Sequence, residues 1–261
     1  MSYTVNASIL LTDLPLLERP AAAKAAGFEA VEFWWPFATA TPASDEVDAF
    51  VAAIQNAGVR LTGLNLFAGD MPAGDRGVLS NPERSGEFRD NLDVVTQIGE
   101  RLGTPAFNAL YGKRIDGVTP EEQDALGAEN LALAADAVAR IGGTVLVEPV
   151  SGAPEYPLKT AQDALDVIAR VGRDNVKLLA DFYHLAVNGD DVAAVIEAHA
   201  AEFGHIQIAD DPGRGEPGTG QLPLQQWIDR SRELGYDGVI GLEYKQSQDD
   251  PFAWLQAAAR A

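Results

Sequence analysis

Four oxygen-bearing side chains stand inside, or at the ends of, short apolar runs in the second half of the chain. TVLVE ends in Glu148, VKLLAD ends in Asp181, HIQIAD carries Gln207 at its middle, and VIGLE ends in Glu243. Acidic side chains are almost never fully buried without a partner, and crowded carboxylates repel and resist ionisation. A divalent cation removes that cost. Three carboxylates and one amide oxygen make an all-oxygen ligand set, which suits a hard cation, Mg²⁺ or Mn²⁺. Each acid alone reads equally well as a helix N-cap or a loop ion pair. Four polar positions on consecutive strands weaken that reading. Gln207 weakens it further, because an amide inside an apolar strand needs a partner.

These residues can meet only if the runs are neighbouring strands. Strand-like segments begin near Thr4, Ala30, Arg60, Ala106, Thr144, Val176, His205 and Val239. Between them lie helical stretches: Pro15 to Ala26, Asp45 to Ala57, Glu83 to Leu102, Thr119 to about Ile141, Thr160 to Val171, Asp191 to Ala200, Pro223 to Leu234 and Pro251 to Arg260. Gly27, Gly58 and Gly103 are fitting C-terminal stops, and Thr119-Pro120-Glu121-Glu122 is a capped start. Apolar strands alternating with helices predict a parallel sheet covered on both faces. A closed barrel and a long doubly wound sheet both satisfy this alternation. The length of 261 residues favours the barrel, which typically needs roughly 250. No GxGxxG follows the first strand, which argues against a dinucleotide fold. The expectation is an α/β chain, a single (β/α)₈ TIM barrel over residues 1–261, with its chemistry at the C-terminal strand ends.

Composition narrows the function classes. Lys and Arg total 19 against 39 Asp and Glu, a net charge of -20, so nucleic acid is an unfavourable partner. Cysteine is absent, which excludes disulfides, thiolate metal sites and Cys nucleophiles. MSYTVNASILLTDLP has no basic leader region and reads straight into a strand, and no apolar stretch approaches the ~20 residues of a membrane helix. A cytoplasmic protein with no membrane association is the expectation.

Longer motifs carry a family resemblance across nearly the whole chain. NASILL (6–11), GFEAVEFWWPF (27–37), AGDMPAGDRG (68–77) and NALYGK (108–113) are joined by four stronger stretches: LVEPVSG (146–152), LLADFYHL (178–185), GHIQIADDPGRGEPGTG (204–220) and GLEYK (241–245). The sequence resembles the hydroxypyruvate isomerase family of the xylose isomerase-like TIM barrels. The resemblance implies a metal held by Glu148, Asp181, Gln207 and Glu243, with Glu148 and Glu243 as proton donor and acceptor. Related ketose epimerases usually carry His where Gln207 stands, which favours the hydroxypyruvate isomerase branch. The implied reaction interconverts hydroxypyruvate and 2-hydroxy-3-oxopropanoate. The metal would act as Lewis acid and a carboxylate would shuttle the proton.

A small hydroxy- or oxo-acid substrate calls for cations around the site. Arg214 is the first candidate, since a guanidinium matches a carboxylate. Lys245 follows Glu243 by two, on the same face if the strand extends that far. Lys113 and Arg76 rank lower; each cation alone reads more readily as a surface charge. His184 is placed to hydrogen-bond a substrate oxygen, His205 to support Gln207, and Asn6, Glu32, Asn65 and Asn108 to line the pocket. Trp34, Trp35 and Phe37 suit either the pocket or an interface between subunits, since barrels of this type often form homo-oligomers. Alternatives are an isomerase or epimerase of a related acid such as 2-oxo-tetronate, a metal-dependent nuclease, and a non-catalytic binding barrel. Three histidines and the acidic charge disfavour the nuclease, and four intact candidate ligands disfavour the binding barrel.

Overall fold

The computed structural model describes residues 3–255. Eight strands, β1 (Tyr3–Asn6), β2 (Ala30–Phe33), β3 (Arg60–Asn65), β4 (Ala106–Asn108), β5 (Thr144–Val147), β6 (Val176–Asp181), β7 (Phe203–Ile208) and β8 (Ile240–Leu242), form a closed barrel in sequence order. Every neighbouring pair is parallel, and β1 closes on β8 through Tyr3↔Ile240, Thr4↔Gly241 and Val5↔Leu242. The (β/α)₈ expectation holds.

Around the barrel run α1 (Arg19–Ala25), α2 (Ser44–Ala57), α3 (Ser85–Leu102), α4 (Pro120–Ala139), α5 (Ala161–Val171), α6 (Phe182–Val187), α7 (Val192–His199) and α8 (Leu224–Glu233). Their ends follow local chemistry. Thr119 caps α4 by accepting the N–H of Glu122, and Gly58, Gly103 and Gly172 end α2, α3 and α5 in the left-handed conformation. Three helical expectations change. The first helix opens with a 3₁₀ turn at Leu16–Glu18. A short helix, α6, follows β6 directly and is not among the helices expected from the sequence. Pro251 to Trp254 form a turn rather than a helix start, and residues 256–261 lie outside the described residues.

Alternation sends one set of strand side chains outward. Val5, Val31, Phe33, Phe107, Val145, Ile206 and Ile208 pack with helical residues such as Phe50, Ile54, Phe88 and Ile98 in one large apolar cluster. Each such side chain contributes about 1.5–3 kcal/mol on burial, so this annulus holds the barrel together. A separate apolar cluster contains only Ala106, Leu146 and Leu179. A smaller pocket lined by Leu146 and Leu179 also takes in Asn6, Glu32, Asn108, His205 and Gln207. An apolar shell thus holds a polar interior in place. At one wall of the site, Gly77 lets loop 68–77 lie against β4's exit: a Cβ there would overlap the Leu110 carbonyl.

Candidate active site

β6 ends in Asp181, and its side chain has two jobs. Oδ1 caps α6, accepting the N–H of Tyr183 at 2.8 Å and of His184 at 3.2 Å. Oδ2 is buried and has no hydrogen-bond partner. Across the β6–β7 pairing, Asp181 is the direct partner of Gln207. Gln207 donates from Nε2 to Glu32 Oε1 at 2.7 Å, which leaves its own buried Oε1 without a partner.

Glu148 and Glu243 each sit one residue beyond their strand, β5 and β8. Glu148 Oε2 accepts from Asn108 Nδ2 at 2.6 Å. The Glu148 carbonyl accepts from the Tyr156 hydroxyl at 3.0 Å, and that hydroxyl oxygen accepts the Tyr111 N–H at 2.9 Å, pinning the strand exit. Glu243 Oε1 accepts from Arg214 Nη2 at 2.6 Å and from the Trp34 indole at 3.3 Å. Arg214 also lies 3.8 Å from Asp181 Oδ2 and over the Tyr183 ring. Its backbone is left-handed, φ 59°, an uncommon conformation for a side-chain-bearing residue.

The electrostatics follow from burial. Burial, then the Asp181 charge, push the Glu148 carboxyl up to about 8. Burial likewise lifts Glu243 well above the usual carboxyl range, although the Arg214 charge opposes the rise. Burial works against the charge of Arg214, but Glu243, Asp181 and Glu148 outweigh it and hold its pKa up. The guanidinium is therefore a fixed positive charge among carboxyls that resist ionising together.

The donor set fits a hard divalent cation. Two buried oxygens, Asp181 Oδ2 and Gln207 Oε1, lack hydrogen bonds, and Glu148 and Glu243 lie in the same anionic cluster. Glu148, Asp181 and His184 also offer atoms within 4.8 Å of one another. His184 is nevertheless the wrong kind of ligand. Its Nδ1 accepts the backbone N–H of Ser151 at 3.1 Å, which places the ring proton on Nε2. Burial pushes its pKa down to about 4, so the ring is neutral and Nε2–H is a donor, 3.6 Å from Asp181 Oδ2. Such a donor can hydrogen-bond an oxygen atom in the cavity.

A cavity of about 800 Å³ opens above these groups, walled by Trp34, Trp35, Phe37, Arg76, His184 and Arg214, with Glu148 and Glu243 at its lining. Four of the candidate residues, Glu148, Glu243, His184 and Arg214, thus share one cavity. Lys113 and Lys245 do not line it. Lys113 sits behind loop 68–77 near Gly74, and its carbonyl accepts from Gln123. Lys245 is exposed because β8 ends at Leu242, and only its N–H reaches the site loop, donating to the Arg214 carbonyl. Arg76, ranked low from sequence, lines the cavity, and its Nη1 is held by the carbonyls of Met71 and Asp75. Ser151 was not foreseen; its only signal was its place three residues after Glu148. Trp34 was foreseen as aromatic, not as a donor to Glu243.

Among the described residues, no helix is long and apolar enough to cross a membrane. Comparison with known proteins places the chain further. Residues 20–261 match the family model for xylose isomerase-like TIM barrels. A Streptomyces coelicolor protein, provisionally named a hydroxypyruvate isomerase, is 55% identical over 99% of this chain and 97% of its own. A Cupriavidus necator protein named 2-oxo-tetronate isomerase is 34% identical, covering 93% of this chain and 92% of its own. A solved Brucella melitensis structure titled AP endonuclease, family 2, superposes with a TM-score of 0.88 at 31% identity, covering 97% of both chains. The chain belongs to the xylose isomerase-like TIM-barrel family, and within it to the hydroxypyruvate isomerase group of isomerases.

Proposed function

We propose that the chain is a divalent-cation-dependent isomerase interconverting hydroxypyruvate and 2-hydroxy-3-oxopropanoate. The observation that carries this reading is the pair of buried oxygens without hydrogen bonds, Asp181 Oδ2 and Gln207 Oε1, beside two carboxyls whose pKa burial raises. Glu148, Asp181, Gln207 and Glu243 would hold the cation. When bound, the cation supplies Lewis-acid stabilisation of negative charge on the substrate oxygens. The name of the 55%-identical relative supports the substrate.

The chemistry is a proton shift between adjacent carbons. A carboxylate removes a proton from C3 of hydroxypyruvate, and the electron pair forms the C2–C3 double bond of an enediolate. A carboxylic acid returns a proton at C2, and the hydroxyl proton passes from O3 to O2. Glu148 and Glu243 carry the carbon-bound protons. In the metal-free chain burial lifts both carboxyls above the usual carboxyl range, which favours their holding a proton to return to carbon. His184 Nε2–H donates to a substrate oxygen, and the guanidiniums of Arg76 and Arg214 meet the substrate carboxylate. The indole wall of Trp34 and Trp35 limits water at the reacting carbons.

The test is chelation. Protein treated with EDTA and dialysed should lose hydroxypyruvate turnover, and Mg²⁺ or Mn²⁺ should restore it. Full turnover after exhaustive chelation would sink the proposal. A second reading keeps the same site but takes 2-oxo-tetronate. The roomy cavity and the Cupriavidus relative favour it, and kcat/KM for the two acids decides between them.

A further inference from the structure

We propose that Glu32 is a positioning residue that fixes the orientation of the Gln207 amide, so that its oxygen and not its nitrogen faces the cation. The inference rests on the reading of Gln207 as a metal ligand. It adds a residue on the far side of the barrel whose role is to decide what Gln207 presents.

An amide is nearly symmetric in shape and opposite in chemistry at its two ends. Its oxygen binds a cation, whereas its NH₂ group repels one. A lone Gln beside a cation site must therefore be told which way to point, and only its neighbours can do so. The carboxylate of Glu32 accepts hydrogen bonds and cannot donate them. It lies 2.7 Å from Gln207 Nε2. Turning the amide over would set oxygen against oxygen at that distance, so the donor end is held at Glu32 and Oε1 is left free.

Glu32 is itself tightly fixed. It is only 3% exposed. Its Oε2 accepts the N–H of His205 Nε2 at 2.7 Å, and its Oε1 also accepts from Asn6 Nδ2 at 3.2 Å. Asn6 is oriented in turn, because its Oδ1 accepts the N–H of Ser8 at 3.1 Å. Three side-chain donors from β1 and β7 thus converge on one carboxylate from β2. The neighbouring backbone makes room for them. A Cβ at Gly241, on β8, would lie 2.7 Å from Gln207 Cγ, 2.8 Å from Glu32 Oε1 and 2.9 Å from His205 Nε2. On the other side, a Cβ at Gly63 would press on Glu32 Cβ at 3.3 Å. The missing side chain at Gly241 leaves the space the network fills, and Gly63 on β3 keeps the other side of Glu32 uncrowded.

The test is Mn²⁺ affinity, read by electron paramagnetic resonance or calorimetry on the full chain. E32Q keeps the shape but can donate to residue 207, so the amide there is no longer held one way round. Removing the partner that orients a ligand weakens metal binding by about 10–100-fold, and that loss is expected here, with a correspondingly higher Mn²⁺ requirement for turnover and little change in KM at saturating metal. The exchange variant E32Q/Q207E supplies an oxygen to the site whichever way the amide on β2 turns, and it should bind Mn²⁺ within about tenfold of wild type. Binding by E32Q within threefold of wild type overturns the proposal. So does a folded exchange variant that stays a hundredfold weaker, and this second comparison stands if E32Q alone fails to fold. Wild-type protein that turns over substrate while binding no Mn²⁺ or Mg²⁺ is a different result: it removes the metal reading itself, and this inference with it.

Discussion

Replacing Glu148 by Gln should stabilise the metal-free protein, and the gain should depend on pH. Glu148 is fully buried, and its carboxyl titrates near 8 in the folded chain against an ordinary 4.5. Below 4.5 both folded and unfolded chains carry the proton, and burial costs nothing. As pH rises from 4.5 to 8, the unfolded chain releases the proton while the folded chain keeps it, so stability falls through this window. Each unit of difference is worth about 1.4 kcal/mol, which sets an upper figure of about 5 kcal/mol at pH 8. Glu243, raised in the same cluster, takes part of that proton, which brings the expected gain to about 2–5 kcal/mol. The amide oxygen of the variant can still accept from Asn108, so little else changes. Urea unfolding in EDTA, for wild type and Glu148→Gln at pH 5 and pH 8, measures the difference directly. His184 acts in the opposite sense: its pKa is pushed down to about 4, so both chains lose stability as pH falls below its ordinary 6.5, and this cancels between them. Adding Mn²⁺ should reverse the order, since wild type then gains a ligand the variant lacks. A stability difference equal at both pH values would refute the reasoning, because Glu148 would then be ionised throughout.

Glu243→Gln should lower kcat by about 10²–10⁴-fold, the usual contribution of a positioned acid or base, with an unchanged circular dichroism spectrum. Near-normal turnover would remove Glu243 from proton transfer. Arg76→Ala should raise KM for hydroxypyruvate by about tenfold or more, because a charge-assisted contact to a carboxylate is worth roughly 1.5–3 kcal/mol. Steady-state kinetics showing an unchanged KM would place the substrate carboxylate elsewhere in the cavity.

Much of this architecture is written locally in the chain. Each strand is short and apolar, several helices start or stop at residues that read as caps (Thr119, Thr160, Gly58, Gly103), and the acids follow the apolar runs they terminate. That is why Glu148, Asp181 and Glu243 could be picked out and the barrel counted. What the pattern hides is contact across the barrel. Glu32 touches His205 and Gln207 from a strand that is not their neighbour, 173 and 175 positions away, and nothing in either segment announces the other. Lys245 shows the complementary failure. Alternation places it on the face of Glu243 only while the strand lasts, and β8 stops at Leu242. Arg214 reads as a substrate contact from the match of its guanidinium to a carboxylate and its place in the loop after the seventh strand. Its place beside Glu243 depends on a left-handed turn in a glycine-rich loop, which the composition permits but does not specify. The short α6 arose for a similar reason: Asp181 caps it, so one residue ends a strand, begins a helix and still faces the site.

The hydrogen bond from the Trp34 indole to Glu243 gives the molecule a built-in optical reporter. Indole emission responds to the charge and polarity at its ring nitrogen, and here that nitrogen meets a carboxyl proposed to transfer protons. Arrival of a cation or an anionic ligand at Glu243 changes the field at the ring at once. Binding can then be followed on unlabelled protein by fluorescence, separately from turnover, with a Trp34→Phe control subtracting the light from the other three tryptophans.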